Sequence, residues 1–464
     1  MRDGEVTEAA RELGAKISGE VLLPVDDGYE EGRTVWNAMH DRRPAVIVRP
    51  RATGDVVAAL TFALAPELPV AVRGGGHSVA GHGTVEGGLV IAHAMMRNVD
   101  VDPERRIVRA EPGATLADVD RASQTHGLAV PIGVISATGI AGLTLGGGVG
   151  WLTRAYGLTI DSLVAAEVVT ADGSVVRASM DDEPDLFWGL RGGGGNFGVV
   201  TSLEFRAYPL GPAVYAGNLI YHRPKWTDAL RAYRDWTAEL PDEMSSIVSF
   251  LIPPASWELG SETVMIIGFA WAGNDAARAE GLVSPLRAAA AADVEVVEPT
   301  PWVSWQSAAD ELFPKGVRAY WKNLSLETLD DGAIDALVRA ADGMAPRSTG
   351  VDIHHMGGAV ARIPEETTAF PNRSAVYWVN LYGIWESPDG DDDGRAWARG
   401  AYDALRPSAG AGEYVNFTGS GPGDADAAAV ALGAYGSAKL ARLRDLKRRW
   451  DPDNVFRLNH NIEP

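Results

Sequence analysis

The sequence predicts an α+β fold in two successive parts, and three observations lead there. Between about residues 38 and 210, short β-branched runs alternate with short helical patterns. Glycines crowd the joints between those runs, in three clusters that fall between Gly74 and Gly198. From about residue 213 to 420 the texture changes to longer strand-like runs that carry most of the 14 tryptophans. Short apolar runs bounded by turn residues read as strands, whereas apolar positions three and four apart read as helices.

Residues 1–37 form an N-terminal segment whose charged, helical start lacks the apolar centre of a secretion signal. In the first domain, 38–212, strands are expected over 44–48, Val70–Arg73, 89–91, Ile107–Ala110 and 164–170. Helix spacing covers Thr53–Leu64 and 115–126, each with a threonine near its start, and Gly127 sits where the second should stop. Asp172-Gly173 is a hairpin signal leading into a strand over 175–178. The second domain, 213–420, has its clearest strands over 264–270 and 376–385. In the closing segment, 421–464, one helix is expected over Ala427–Trp450, with Lys447, Arg448 and Arg449 at its negative end and Pro452 beyond it. An ordered tail follows.

With 464 residues, 46% of them hydrophobic, the chain can bury a large core. A net charge of −21 opposes nucleic acid and anionic membrane surfaces as partners, because both need a clustered positive field. The absence of cysteine excludes disulfides, thiolate metal sites and cysteine nucleophiles. No apolar run is long enough to span a bilayer, so the expectation is a soluble, cytoplasmic protein, monomeric or homodimeric.

The glycine clusters are Arg73-Gly74-Gly75-Gly76-His77-Ser78, the stretch from Gly139 through Gly142 to Gly146, Gly147, Gly148 and Gly150, and Gly192 to Gly198. Without Cβ atoms, such loops let successive N–H groups converge on an anion, and a pyrophosphate needs that approach. Gly193-x-Gly195-x-x-Gly198 matches the spacing of a nicotinamide-dinucleotide fingerprint, but the alternating residues after it read as a strand where a helix is required. His77, between a triple glycine and a serine, has no apolar face to pack, so a bonded or nucleophilic role competes with phosphate hydrogen bonding and with an ordinary loop position. No metal site is expected: His77 and His82 are five apart in a loop, and His354 and His355 would point to opposite sides of a strand.

These residues resemble the FAD-linked oxidases of the vanillyl-alcohol oxidase and p-cresol methylhydroxylase (PCMH) fold, and within them the bacterial branch of the berberine-bridge-enzyme-like group. The resemblance rests on the Arg73–Ser78 motif, on Thr138 to Leu152, on Tyr156 to Asp161, on Asp185 to Gly198, and on Asp451 to Asn461. It implies a PCMH-type FAD-binding domain of two subdomains, a substrate domain with an antiparallel sheet backed by helices, and a C-terminal segment that returns to the FAD domain. It further implies covalent FAD, joined through its 8α-methyl to His77. The cofactor-binding set it implies is Arg73, Gly74, Gly75, Gly76, His77, Ser78, His82, Thr138, Gly139, Gly142, Gly146, Gly147, Gly148, Gly150, Trp151, Leu152, Asp161, Asn196, Gly198, Val199, Asn459 and Asn461. The reaction implied is hydride transfer from a small-molecule substrate to flavin N5, with dioxygen as the electron acceptor.

Two departures from the family pattern shape the expectation. Ile135 stands where many relatives carry a second, cysteinyl link, so a single bond through His77 is expected. Phe417 stands where relatives that oxidise alcohols or sugars commonly place a tyrosine base, and phenylalanine accepts no proton. The catalytic candidates are therefore Asn380, Tyr382, Tyr414 and His355, with His354 as a further possible base. The expected substrate class is a specialised-metabolite alcohol, amine or enolisable ketone, and losing the tyrosine shifts the expectation away from carbohydrates and toward compounds that lose a proton easily, such as amines, phenols or enolisable ketones. The alternatives are a dehydrogenase with a non-oxygen acceptor and a flavin-containing protein that sequesters a natural product.

Overall fold

The structure is a computed structural model that describes all residues except 1, 2, 66, 345–348, 422, 423, 425 and 426, and the side chains of 3 and 427 are likewise outside the description. Three sheets of four or more strands organise it, beside a two-stranded pairing of Tyr208–Pro209 with Leu128–Ala129. The first is four-stranded, in the order Glu20–Leu22, Val46–Arg49, Leu89–Ala92, Val70–Arg73, with its last three strands parallel. The second has five strands, Val99–Asp102, Ile107–Ala110, Val199–Arg206, Leu163–Val169 and Val175–Ser179, all antiparallel.

The third sheet has seven antiparallel strands in the order Val294–Pro301, Ala213–Tyr221, Val264–Trp271, Met244–Leu251, Gly350–His355, Tyr377–Trp385, Arg318–Leu326. Side chains alternate across a strand, so Tyr377, Val379 and Leu381 enter a core with helices Trp226–Thr237, Ala276–Ala289 and Asp331–Asp342. Trp378, Asn380 and Tyr382 face the opposite way. Every residue of Tyr377–Trp385 is buried, so both faces of the strand are covered, and Asn380 is the one amide side chain within it.

Most expected elements form, with shifted ends. The first parallel strand starts at Val46, two residues after Pro44, which has no N–H for a ladder. The helix expected over 115–126 runs Leu116–Gln124; the Asp118 carboxylate accepts from Thr115 N at 2.9 Å and Thr115 Oγ1 at 2.8 Å. The single helix expected over Ala427–Trp450 is interrupted: Gly436 has φ 67° and ψ 170°, a conformation glycine adopts at little cost, and the helix kinks there.

The C-terminal tail docks on the third glycine cluster. Asn196 donates to the carbonyls of Gly193 (2.9 Å) and His460 (3.3 Å), and its Oδ1 accepts from Ile462 N at 3.0 Å. Lys447 Nζ donates to Asn196 O (2.9 Å), Phe456 O (3.0 Å) and Asp451 Oδ2 (2.6 Å), and both partners of that ion pair are fully buried.

Candidate active site

The three glycine clusters, separate in sequence, line one cavity of ≈ 280 Å³. The first follows the end of strand Val70–Arg73, and Gly76 takes φ 70° so that the loop can turn. It lies backbone to backbone on the second: a Cβ on Gly75 would come 2.5 Å from Gly139 N, and one on Gly139 would come 2.2 Å from Gly75 N. Such closeness is a packing demand that a turn alone does not impose. Tyr414 to Thr418, Phe456 and Leu458 to His460 also line the cavity.

Several buried polar atoms here have no partner within the protein, among them His77 Nε2, His93 Nε2 and Asn459 Oδ1. Polar atoms taken out of water need a partner. Glycine backbones at close approach plus these orphaned atoms fit an elongated dinucleotide such as FAD. His77 stacks on Trp36, with centroids 4.7 Å apart and an interplanar angle of 18°. Burial lowers the His77 pKa to about 4, so the imidazole is neutral near pH 7. The same cause brings His93 and His460 to about 4 and holds His82 well below its ordinary value.

Most of the expected cofactor set lines this cavity: Arg73 to Ser78, His82, Thr138, Gly139, Gly142, Gly146, Asn196, Gly198 and Asn459. Eight residues do not, and seven of them have other work. Gly147, Gly148 and Gly150 allow close packing behind the loop, where a Cβ would meet Phe370 at 2.6 Å, Thr159 Oγ1 at 2.0 Å and Ile132 O at 1.8 Å. Leu152 and Val199 are buried in apolar clusters. Asp161 pairs with buried Arg373, Nη2 to Oδ1 at 2.7 Å, and accepts from Leu158 N at 2.8 Å. Trp151 faces a second cavity. Asn461 also lies off the lining, although its Oδ1 is buried without a protein partner.

The second cavity, ≈ 410 Å³, shares Val134, Ile135, Trp321 and Phe417 with the first, so these four form a common wall. Its floor is the helix-free face of the seven-stranded sheet. Register places Asn323 opposite Asn380, Asn380 opposite Asp352, and Asp352 opposite Ser249, a polar row across four strands. Around it stand Trp151, Trp257, Trp305, Phe313, Ile220 and Ile266.

Asp352 is the one carboxylate that lines this chamber among the described residues, and no lysine or arginine does. Its carboxylate accepts from Ser249 Oγ at 2.6 Å and Tyr382 OH at 3.2 Å. Burial raises its pKa to about 6 against the pull of those two donors. Burial and the neighbouring Asp352 hold the Tyr382 phenol well above its ordinary value, and burial lowers His354 to about 4. Asn380 Oδ1, Trp305 Nε1 and Trp321 Nε1 are buried without partners, leaving one acceptor and two donors free.

Of the catalytic candidates, Asn380 and Tyr382 line the chamber, as does His354. His355 does not: with opposite strand parity it lies beneath the helices, its Nε2 3.1 Å from Arg154 Nη1. Tyr414 borders the first cavity, and its hydroxyl is occupied by Gly148 N and Asn416 Nδ2, both donating at 2.9 Å. Asp352 and Ser249 were absent from the expected set. Strand parity could have found Asp352, because it shares a face with His354 in Val351-Asp352-Ile353-His354. Ser249 carries no comparable signal.

Residues 44–179 match the FAD binding domain family, and residues 414–463 match the berberine and berberine-like family. Over 458 residues the chain is 30% identical to an uncharacterized FAD-linked oxidoreductase of Bacillus subtilis, covering 97% of this chain and 98% of that one. It is 29% identical over 461 residues to (R)-6-hydroxynicotine oxidase of Paenarthrobacter nicotinovorans, covering 97% of each. Among solved structures, 6-hydroxy-D-nicotine oxidase from Arthrobacter nicotinovorans superposes with a TM-score of 0.85 at 26% identity, over 97% of this chain and 98% of that one. Xylooligosaccharide oxidase from Myceliophthora thermophila, in complex with xylobiose, gives 0.86 at 25% identity over 99% of each.

Proposed function

The chain belongs to the berberine-like family of FAD-linked oxidoreductases, and from that premise we propose an oxidase that holds FAD covalently through His77 and oxidises a small, largely apolar molecule. The observation that carries this proposal is the common wall of Val134, Ile135, Trp321 and Phe417, across which a chamber with a single carboxylate adjoins the cofactor cavity. When bound in the first cavity, FAD would supply the hydride acceptor, and dioxygen would be the final electron acceptor, reduced to hydrogen peroxide.

The protein's own part is to hold the reacting carbon at that wall and take away a proton. Asp352 is the proton acceptor, since Phe417 cannot be one, the Tyr414 hydroxyl is occupied, and His354, lowered to about 4, is a weaker base than a carboxylate raised to about 6. Ser249 and Tyr382 orient its carboxylate, and the free Asn380 Oδ1 binds a substrate N–H or O–H. The apolar walls exclude water, which strengthens each of these contacts. A chamber lined by one carboxylate and, among the described residues, no lysine or arginine disfavours anions. Neutral or cationic substrates fit it: alcohols, amines or enolisable ketones of specialised metabolism.

The test is to mix the yellow protein anaerobically with amines, phenolic alcohols, enolisable ketones and aldoses. Bleaching by one of the first three classes, with peroxide formed on admitting air, is the expected result. Rapid turnover of a plain aldose would overturn the substrate class. Reoxidation by an artificial dye but not by air would replace the oxidase with a dehydrogenase.

A further inference from the structure

We propose that Trp36 is the positioning residue for attachment of the cofactor to His77, a role that rests on the covalent linkage proposed above. The loop bearing His77 has three glycines immediately before it, and Gly76 has φ 70°. Glycine leaves such a loop many conformations, yet a bond-forming imidazole must be held in one. The indole of Trp36 does this by lying flat on the ring, 4.7 Å between centroids and 18° from parallel.

Trp36 is itself fixed on several sides. Its N–H donates to Gly76 O at 3.0 Å, its carbonyl accepts from Gly316 N at 3.0 Å, and its Nε1 donates to Phe313 O at 3.0 Å. Trp321 meets the indole edge-on, with centroids 5.7 Å apart. Asn37 repeats the pattern: its Nδ2 donates to Val79 O (2.7 Å) and Ala319 O (2.8 Å), and its Oδ1 accepts from Ala319 N (3.0 Å). Two adjacent residues of the N-terminal segment thus bracket the His77 loop at Gly76 and Val79 and tie it to strand Arg318–Leu326 and the turn before it. The loop is anchored from outside itself.

The geometry of the stack suits the chemistry. A nitrogen lone pair lies in the plane of the imidazole, so an indole on one face orients the ring without covering the reacting edge, and His77 Nε2 is buried with no protein partner. Burial keeps the ring neutral and nucleophilic near pH 7. In the attachment an imidazole nitrogen forms a C–N bond to the 8α-methyl carbon. The ring N–H and the methyl group each give up one hydrogen, and both hydrogens leave with two electrons on dioxygen as hydrogen peroxide. Orientation is what the protein contributes.

The experiment compares wild type, His77→Ala, Trp36→Phe and Trp36→Leu as isolated holoproteins. Flavin per chain is measured in the acid-precipitated pellet and in the supernatant, together with thermal stability. Wild type and Trp36→Phe, which keeps a flat ring, are expected to hold flavin in the pellet. Trp36→Leu should bind as much flavin in total but release most of it to the supernatant, with the pellet fraction down about tenfold. A Trp36→Leu pellet as yellow as wild type overturns the role of Trp36 and leaves the covalent bond standing. Loss of total flavin and of stability in Trp36→Leu overturns it in favour of a purely structural part. A colourless wild-type pellet overturns both proposals.

Discussion

Asp352 is a carboxyl whose environment sets a testable acid limb. Burial raises it to about 6, while the hydroxyls of Ser249 and Tyr382 stabilise its ionised form. A carboxyl must be ionised to accept a proton, so kcat/KM is expected to rise with pH through about 6 and then level. Asp352→Asn should lower kcat by about 10²- to 10⁴-fold with flavin content unchanged. An Asp352→Asn enzyme of wild-type rate would remove the acid from the mechanism. Tyr382→Phe deletes one donor to the carboxylate, so the acid limb should move to higher pH, read from the same profile. His354 and Asp352 share a face of one strand, and His355 does not. The sequence alternation was enough to separate the two histidines but not to say which side faced the chamber, because that depends on where the helices pack.

At the scale of elements, the docking of the last helix and tail on the third glycine cluster depends on one buried cation. Lys447 joins Asn196 O, Phe456 O and the Asp451 carboxylate, and Asp451 also accepts from Val455 N at 2.7 Å and Phe456 N at 2.9 Å. Removing one partner of a buried pair leaves the other charge uncompensated, at about 3–5 kcal/mol. Lys447→Met is therefore expected to destabilise the protein by that amount in denaturant titration and to loosen flavin binding, since Asn196, Asn459 and His460 line the cofactor cavity. Unchanged stability would mean that the tail is held by its apolar contacts alone. The helix and its basic end were legible in the sequence, as were the short strands and the glycine loops, because each depends on local periodicity or local conformational freedom. The break at Gly436 was not, since one glycine within a helical pattern is common and only the surrounding packing decides whether it kinks. Nor was the packing duty of Gly147, Gly148 and Gly150: a glycine that bears on a cofactor and one that bears on Ile132 O look the same in a string of letters.

Across the whole molecule, one buried acid joins helix Leu116–Gln124 to helix Trp302–Gln306, which follows edge strand Val294–Pro301 of the seven-stranded sheet. Asp120 accepts from Trp302 Nε1 at 3.0 Å and Gln306 Nε2 at 3.1 Å, and the same Gln306 nitrogen reaches Gly133 O at 3.2 Å. Gly133 precedes Val134 and Ile135 in the common wall, so the contact between helices extends to the boundary of the two cavities. The Gly133 carbonyl fixes the Gln306 amide as a donor, and both Asp120 oxygens therefore face obligate donors. Even so, burial raises Asp120 to about 7, because two neutral donors do not replace the water it loses. With the folded-state pKa above the ordinary 3.8, this residue's contribution is fully present below that ordinary value and is lost as pH rises through about 7. Asp120→Asn cannot ionise, but its amide turns one acceptor into a donor that faces another donor, costing about 1 kcal/mol or more. The variant should accordingly melt below wild type at pH 5, and the gap should shrink or reverse by pH 8. A gap independent of pH would mean that Asp120 keeps one charge state throughout and that the join between the helices does not titrate.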